Sequence, residues 1–548
     1  MSQIIRQTIF LTALAFGTAM SFSTDAKAAT YTVDTTADNA ALTTCNSVTD
    51  NDCSLRGAIS RANATTANDT INFTFGARDP GCDFGCTIVL TGGNLTVNST
   101  TTAGSLTITN STENSVSISG NNASRVFFVN SGANLSLVRL IVMNGSAAGS
   151  TAAGKRGGGI YNSGTLTLNV VTVSGNAAQS DGGGIYSESG GNVTLANSTV
   201  SGNTAQGLGG GISSIGTLTL TNSTVNGNSS AGGGGIYLSS GGATLMNSTI
   251  NGNTAGGEAG GIYVSNSSGI PSTVTVTNST VSGNIGRFSG GITNYGNSTL
   301  NLSSVTLTEN RQLDDSTYCL HDGIFCSGGI SNSGTANLKN TIVAGNFTSF
   351  INEKDDFAGA ISSNSSYNII GNNFGMTGIT NGANGNQTGT PQNPIDPRLA
   401  PLAFNGGATQ THALMLDSPA LDKGSSFGAS EDQRGAARPV DIGNFPNSSD
   451  ATDIGAFEMQ LPTAASVSIS GRVITQNGRG LANAPVILTS NDGSTRYART
   501  STGGHYHFSD VPAGSSVVIT VISKRYNFAP QVLTVTEETV NLDLFAQE

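Results

Sequence analysis

The sequence predicts an all-β protein: a parallel β-helix, closed at its start by a short helix and followed by a small antiparallel β-sandwich. Three observations carry this expectation. The 548 residues include 73 Gly, no Trp and only 10% charged side chains, where soluble domains average about 25% charged and about 7% Gly. A Gly-rich step before isoleucine recurs at Ile160, Ile185, Ile212, Ile236, Ile262, Ile292 and Ile330, spaced by 24 to 27 residues at first and then by 30 and 38. Between these markers lie short alternating segments such as Leu166-Thr167-Leu168, Leu218-Thr219-Leu220 and Val274-Thr275-Val276, strands by period and residue type.

A copy of about 25 residues has too little apolar surface to offset its own ordering entropy, so the copies must stack. Each then forms one coil, paired in parallel with the next at about 4.8 Å. A second marker keeps the beat: Gly-Asn steps ending at Asn176, Asn203, Asn228, Asn253, Asn284 and Asn346, with Asn310 in phase but lacking the Gly. The Gly-Gly-Ile step suits a corner that needs φ > 0 or has no room for a Cβ, and the repeated Asn suits an inward turn whose amides bond along the stack.

The chain starts with a leader-like segment: Arg6, an apolar stretch from Ile9 to Met20 and Ala26-Lys27-Ala28, with cleavage expected after Ala28. The apolar run falls short of the roughly 20 residues that span a bilayer, so no transmembrane segment is expected. Loss of Arg6, Asp25 and Lys27 leaves 21 basic and 33 acidic residues, a balance that favours solubility and gives nucleic acid no electrostatic footprint. The six cysteines fall into three local pairs, Cys45 with Cys53, Cys82 with Cys86 and Cys319 with Cys326, and an exported address favours disulfides between these neighbours. Cys82 to Cys86 lacks a second ligand pair for a metal, and Cys319-Leu320-His321-Asp322 reads as a stapled inserted loop. No metal site and no cofactor are expected.

Several motifs resemble known modules. Gly-Gly-Gly-Ile-Tyr at 157–161 with Val173-Ser174-Gly175-Asn176 is similar to the repeats of polymorphic outer membrane proteins and related right-handed parallel β-helix proteins. Tyr31-Thr32-Val33-Asp34-Thr35 with Cys53-Ser54-Leu55-Arg56-Gly57-Ala58-Ile59 resembles the CSLREA domain, with Gly57 where that family carries Glu. Ser54 would N-cap a short helix over the first coil. Asp396-Pro397-Arg398-Leu399, Asn405-Gly406-Gly407, Ser418-Pro419-Ala420, Asp432-Gln433-Arg434-Gly435 and Asp453-Ile454-Gly455-Ala456-Phe457-Glu458 resemble the choice-of-anchor Q domain, which implies closure of a β-helix. Gly503-Gly504-His505-Tyr506-His507-Phe508 with Val511-Pro512-Ala513-Gly514 resembles the carboxypeptidase regulatory-like, transthyretin-type module. The expected organisation is a signal peptide at 1–28, a CSLREA-like cap at 29–90, the right-handed parallel β-helix at 91–390, a choice-of-anchor Q-like cap at 391–460 and the sandwich at 466–546.

Glycoside chemistry needs paired carboxylates or a base with a cation. From Gly157 to Asn310 the charged residues are Asp181, Glu188, Glu258, Arg287 and Glu309, which form no pair in sequence, so no catalytic residue is assigned. The richer cluster of His412, Asp422, Asp432, Arg434, Arg438, Asp453 and Glu458 reads as a salt-bridge and turn network that holds a closing segment. His505 and His507 share one face of a strand and read as a solvated or stacking pair. One surface feature stands out: Thr172, Thr199, Thr224, Thr249, Thr280 and Thr306 each precede a repeat Asn by four residues. With the next aliphatic pointing inward, these threonines form an outward array of hydroxyls.

The functional expectation is a monomeric secreted or cell-surface protein that acts in adhesion or in binding glycans or host and envelope components, without catalysis. A carbohydrate-active enzyme, lyase or hydrolase, is the alternative, and an ice- or surface-ordering protein the third reading.

Overall fold

The structure is a computed structural model that describes residues 27–46, 50–76, 79, 81–82, 85–99, 104–266, 269–313, 326–348, 355–443, 445–460, 466–490, 494–512, 515–535 and 542–547. Most of the expected leader and Cys319 lie outside them.

Each middle coil contributes four short strands, and every strand pairs in parallel with its counterpart one repeat later. Ile160–Asn162 lies beside Ile185–Ser187, Thr165–Asn169 beside Asn192–Ala196, Thr172–Ser174 beside Thr199–Ser201, and Ala177–Ala178 beside Thr204–Ala205. Repeated along the axis, these pairings build parallel sheets of 21, 11 and 8 described strands, a parallel β-helix. The alternating pattern sends every second residue inward. Ile160, Leu166, Leu168 and Val173 are fully buried, as are their equivalents Ile212, Leu220, Val225 and Val281.

Polar ladders run inside this apolar stack. Asn176 donates its side-chain amide to Asn203 Oδ1 at 2.9 Å, and the relay continues through Asn228, Asn253, Asn284, Asn310 and Asn346. The same carbonyl oxygens accept the backbone N–H of the preceding Asn, so each buried amide is satisfied by its neighbours. The Gly before each Asn sits at positive φ, 61° at Gly202 and 62° at Gly227, and Glu309 takes φ 58° where the Gly is missing. At the Gly-rich corner, a Cβ on Gly183 would meet Gly210 O at 2.4 Å and Thr204 O at 2.5 Å.

An Asn-Ser-Thr triplet recurs at 197–199, 222–224, 247–249 and 278–280, and each of its residues has its own place in the coil. Asn197, Asn222, Asn247 and Asn278 hold φ between 44° and 51° at the bend between adjoining strands, a conformation that Asn tolerates. Ser198, Ser223, Ser248 and Ser279 point inward, each hydroxyl accepting the N–H of the coil before it. The following Thr points outward.

At the start of the stack, the helix Leu55–Ala62 is capped by Ser54, whose Oγ accepts Gly57 N at 3.0 Å. Arg56 ties it down with a bidentate pair to Asp38 at 2.7 and 3.0 Å and bonds to Gly93 O and Asn94 O. A Cβ on residue 57 would lie 1.9 Å from Leu42 O, so Gly is required there. The disulfides Cys45–Cys53 and Cys82–Cys86 are present. Cys326 is also disulfide-bonded.

Residues 466–547 form two four-stranded sheets around Ile469, Val486, Leu488, Phe508, Val517 and Ile519. All their pairings are antiparallel except Ser466–Ile474 with Leu544–Gln547. Among the described residues no helix is long and apolar enough to cross a membrane.

Candidate functional site

The six array threonines stand in one register column, Thr172, Thr199, Thr224, Thr249, Thr280 and Thr306. The column does not form one open face. Thr172, Thr199 and Thr224 are half-exposed, whereas Thr249, Thr280 and Thr306 are buried. The expectation that all six present hydroxyls to solvent is therefore corrected for the last three.

The cause is the segment after residue 395, which returns along the outside of the β-helix. Thr249 Oγ1 donates to Gln410 O and Thr280 Oγ1 to Gln433 Oε1, both at 2.6 Å, while Thr306 Oγ1 accepts Ala456 N at 3.0 Å. Gln433 Nε2 reaches back to Thr249 Oγ1, Thr409 Oγ1 and Gln410 O. Beyond Thr306 the same column turns apolar at Ile342 and Ile369. These two pack with Leu414, Leu421, Ile454 and Phe457 of the returning segment. That switch from Thr to outward Ile is the signal in the sequence that the face is covered.

The charged cluster of the returning segment is bonded mainly within that segment, and His412 ties it to the coils at Ser282. Asp432 accepts the N–H of Arg434, Ala436 and Glu458 and a bidentate pair from Arg434 at 2.7 and 2.8 Å. Arg438 and Glu458, both fully buried, pair at 2.9 Å, and Glu458 also accepts Val440 N and Asp453 N. Asp453 accepts Asp422 N and Met459 N, and burial pushes its carboxyl up to about 6. His412 Nδ1 faces Ala400 O at 2.8 Å; a carbonyl only accepts, so Nδ1 carries the proton and Nε2 accepts from Ser282 Oγ at 2.8 Å. Burial pushes the imidazole below its ordinary value, which keeps it neutral.

Asp181 and Glu258 share a column with Leu208 and Gly232 between them. Asp181 is engaged by Arg156 at 3.2 Å, Ser180 Oγ and Leu208 N, and Arg156 lies over the Tyr186 ring. Near the start of the chain, Asp34, Asp50 and Asp52 bring carboxylate oxygens within 4.8 Å of one another. Both oxygens of Asp34 already accept loop amides, from Cys53, Asp50 and Asn51. His505 and His507 are both exposed on one face of their strand.

A surface that sequence reasoning missed lies on the adjoining strands. Thr167, Thr194, Thr219, Thr244 and Thr275 form a second outward column in continuous register, continued by Asn301 and Asn337. Its members are half-exposed or exposed. Thr165, Asn192, Thr217, Thr273 and Thr299 flank it two residues away, about 7 Å along each strand. The T-x-T spacing of Thr217-Leu218-Thr219 and Thr273-Val274-Thr275 carried this signal.

At its far end the column runs into a cleft of about 610 Å³ lined by Thr275, Asn301, Ser303, Asn337, Lys339, Asn364 and Phe427. Asn337 Nδ2 donates to Asn301 Oδ1 at 2.9 Å. Phe427 stands on the rim, with the Lys339 ammonium 5.1 Å from its ring centre and Tyr367 edge-on at 6.0 Å.

The architecture defines a class: a parallel β-helix overlaid by its own returning segment and followed by a small β-sandwich. Residues 468–545 match the family model for the carboxypeptidase regulatory-like domain. No curated protein matches the chain. Among solved structures, the crystal structure of pectate lyase Pel9A is similar at 15% identity with a TM-score of 0.41, over 79% of this chain and 96% of that one.

Proposed function

We propose that this is an exported protein that binds polysaccharide, at a cell surface or in the surrounding medium, through the open hydroxyl face of its β-helix and without cleaving it. In this reading the ends of the stack are closed by modules of the CSLREA and choice-of-anchor Q kinds, and the chain acts as a monomer. The observation that carries the proposal is the division of the outer surface: the returning segment covers one threonine column and leaves the adjoining Thr167–Thr275 column open and leading into a cleft. Hydroxyls and amides repeated at about 4.8 Å offer many weak hydrogen-bonding positions in a flat array, which suits an extended polyhydroxylated chain. Absence of cleavage is supported by the cap carboxylates, whose oxygens are largely occupied by backbone amides and arginines.

The test is a glycan-array assay on the purified mature chain, run beside product detection on the same acidic and neutral polysaccharides. Binding without shortening is the expected result. Release of oligosaccharides would overturn the non-catalytic reading and direct attention to Asp181 and Glu258.

A further inference from the structure

The cleft at the end of the open face differs in kind from the face itself. Its lining combines the polar groups of Thr275, Asn301, Ser303, Asn337 and Asn364 with at least as much apolar surface, as small-molecule sites do. The Asn337 to Asn301 hydrogen bond uses one donor of Asn337 and one acceptor site of Asn301, so the pair keeps amide N–H and C=O capacity for a ligand with several hydroxyls. The polar lining is completed by one aromatic ring. Phe427 is 45% exposed and sits at φ 48°, a left-handed conformation that is unfavourable for a bulky residue. The loop is held there by Ser426, which bonds through its N–H and hydroxyl to Asp450. Hydrogen bonds from Ser426 and Thr452 outweigh burial and hold the Asp450 carboxyl below its usual value. Strained backbone positions cluster at ligand sites, and this one holds out an aromatic side chain. Among the lining residues one carries a charge, and it is the cation Lys339 beside that ring.

Resting on the glycan-binding reading above, we propose that the cleft is a subsite for an anionic saccharide, a uronic acid unit that packs against the exposed part of Phe427 and whose carboxylate faces Lys339. The amides of Asn301, Asn337 and Asn364 take the ring hydroxyls. The rest of the polysaccharide extends along the Thr275 to Thr167 column.

Titration calorimetry of the full mature chain tests this with three probes: a uronic acid hexasaccharide, its methyl ester and a neutral glucan of equal length. The acid is expected to bind at least tenfold more tightly than its ester, and Lys339→Gln is expected to erase that difference. Phe427→Gly is expected to weaken binding at least tenfold while leaving the melting temperature unchanged or raised, because Gly adopts positive φ without strain. Equal affinity of the unsubstituted chain for acid and ester, or undiminished binding by Phe427→Gly, would overturn the subsite. If Thr219→Lys on the open column abolishes binding and Phe427→Gly does not, the subsite falls and the glycan-binding face stands. If none of the probes and no arrayed glycan binds, both fall.

Discussion

Thr280 Oγ1 donates to Gln433 Oε1 at 2.6 Å, a buried hydrogen bond between residues 153 positions apart. It fixes the returning segment onto a hydroxyl that the repeat pattern alone would leave facing water. The same amide collects Thr249, Thr409 and Gln410 on its nitrogen, so one side chain clasps two coils and the cover.

Gln433→Ala should therefore loosen the cover selectively. Buried partners left unsatisfied cost about 1–3 kcal/mol each, and some of this is recovered when the threonine hydroxyls rotate. A loss of about 2–3 kcal/mol is expected. Amide hydrogen exchange should report it as faster exchange around Thr409 to Thr411 and Asp432 to Gly435, with the repeat coils from Ile160 to Ile236 unchanged.

Arg438 and Glu458 pair with neither side chain accessible to solvent. Removing one partner of such a pair destabilises by about 3–5 kcal/mol because the other charge stays buried. Arg438→Met should open the segment between Gly424 and Glu458 to limited proteolysis before the β-helix unfolds.

Asn228 donates to Asn253 Oδ1 and Val200 O and accepts the N–H and the side-chain amide of Asn203. Asn228→Ala breaks four buried hydrogen bonds and leaves a cavity, a loss of about 3 kcal/mol or more. Chemical denaturation should show a lower midpoint with the slope unchanged.

Asp355 is half-buried beside Asp356, and desolvation together with that neighbouring charge pushes its carboxyl up to about 7, against a hydrogen bond with Ser327. The unfolded chain ionises near the ordinary 3.8, so between these values the folded chain holds the extra proton. Stability then falls as pH rises through this window and the loss is complete above about 7. The effect is on the order of 4 kcal/mol at most. Melting curves at pH 5 and pH 8 should show higher stability at the lower pH, and Asp355→Asn should reduce the difference, leaving the share that Asp453 and Glu458 contribute with the same sign.

The β-helix was legible because its signals are local and repeated. The Ile and Gly-Asn markers each report one coil, inward aliphatics alternate with outward Thr, and stacking follows once a single copy is too small to stand alone. The pairs Cys45–Cys53 and Cys82–Cys86 were legible because their loops are short. The cover over Thr249, Thr280 and Thr306 was not, since it joins residues more than 100 positions apart through Gln410, Gln433 and Ala456, and no period links them. The outward Ile342 and Ile369 marked it, yet read singly they pass for core positions. The open Thr167 to Thr275 column lay in plain sight in the T-x-T segments, but which of two threonine columns remains exposed is decided only by where the returning segment lies. The cleft was illegible for the same reason, because Phe427 reaches Lys339 only through that return.

The most direct measurement is glycan binding by the mature chain carrying Thr194→Lys and Thr219→Lys, compared with Thr172→Lys and Thr199→Lys on the neighbouring column. Outward strand positions tolerate such changes within about 0.5 kcal/mol, so folding is retained and the surface alone is altered. The account predicts at least a tenfold loss of affinity for the first pair and a smaller loss for the second. Equal binding by the first pair and the unsubstituted chain would contradict it.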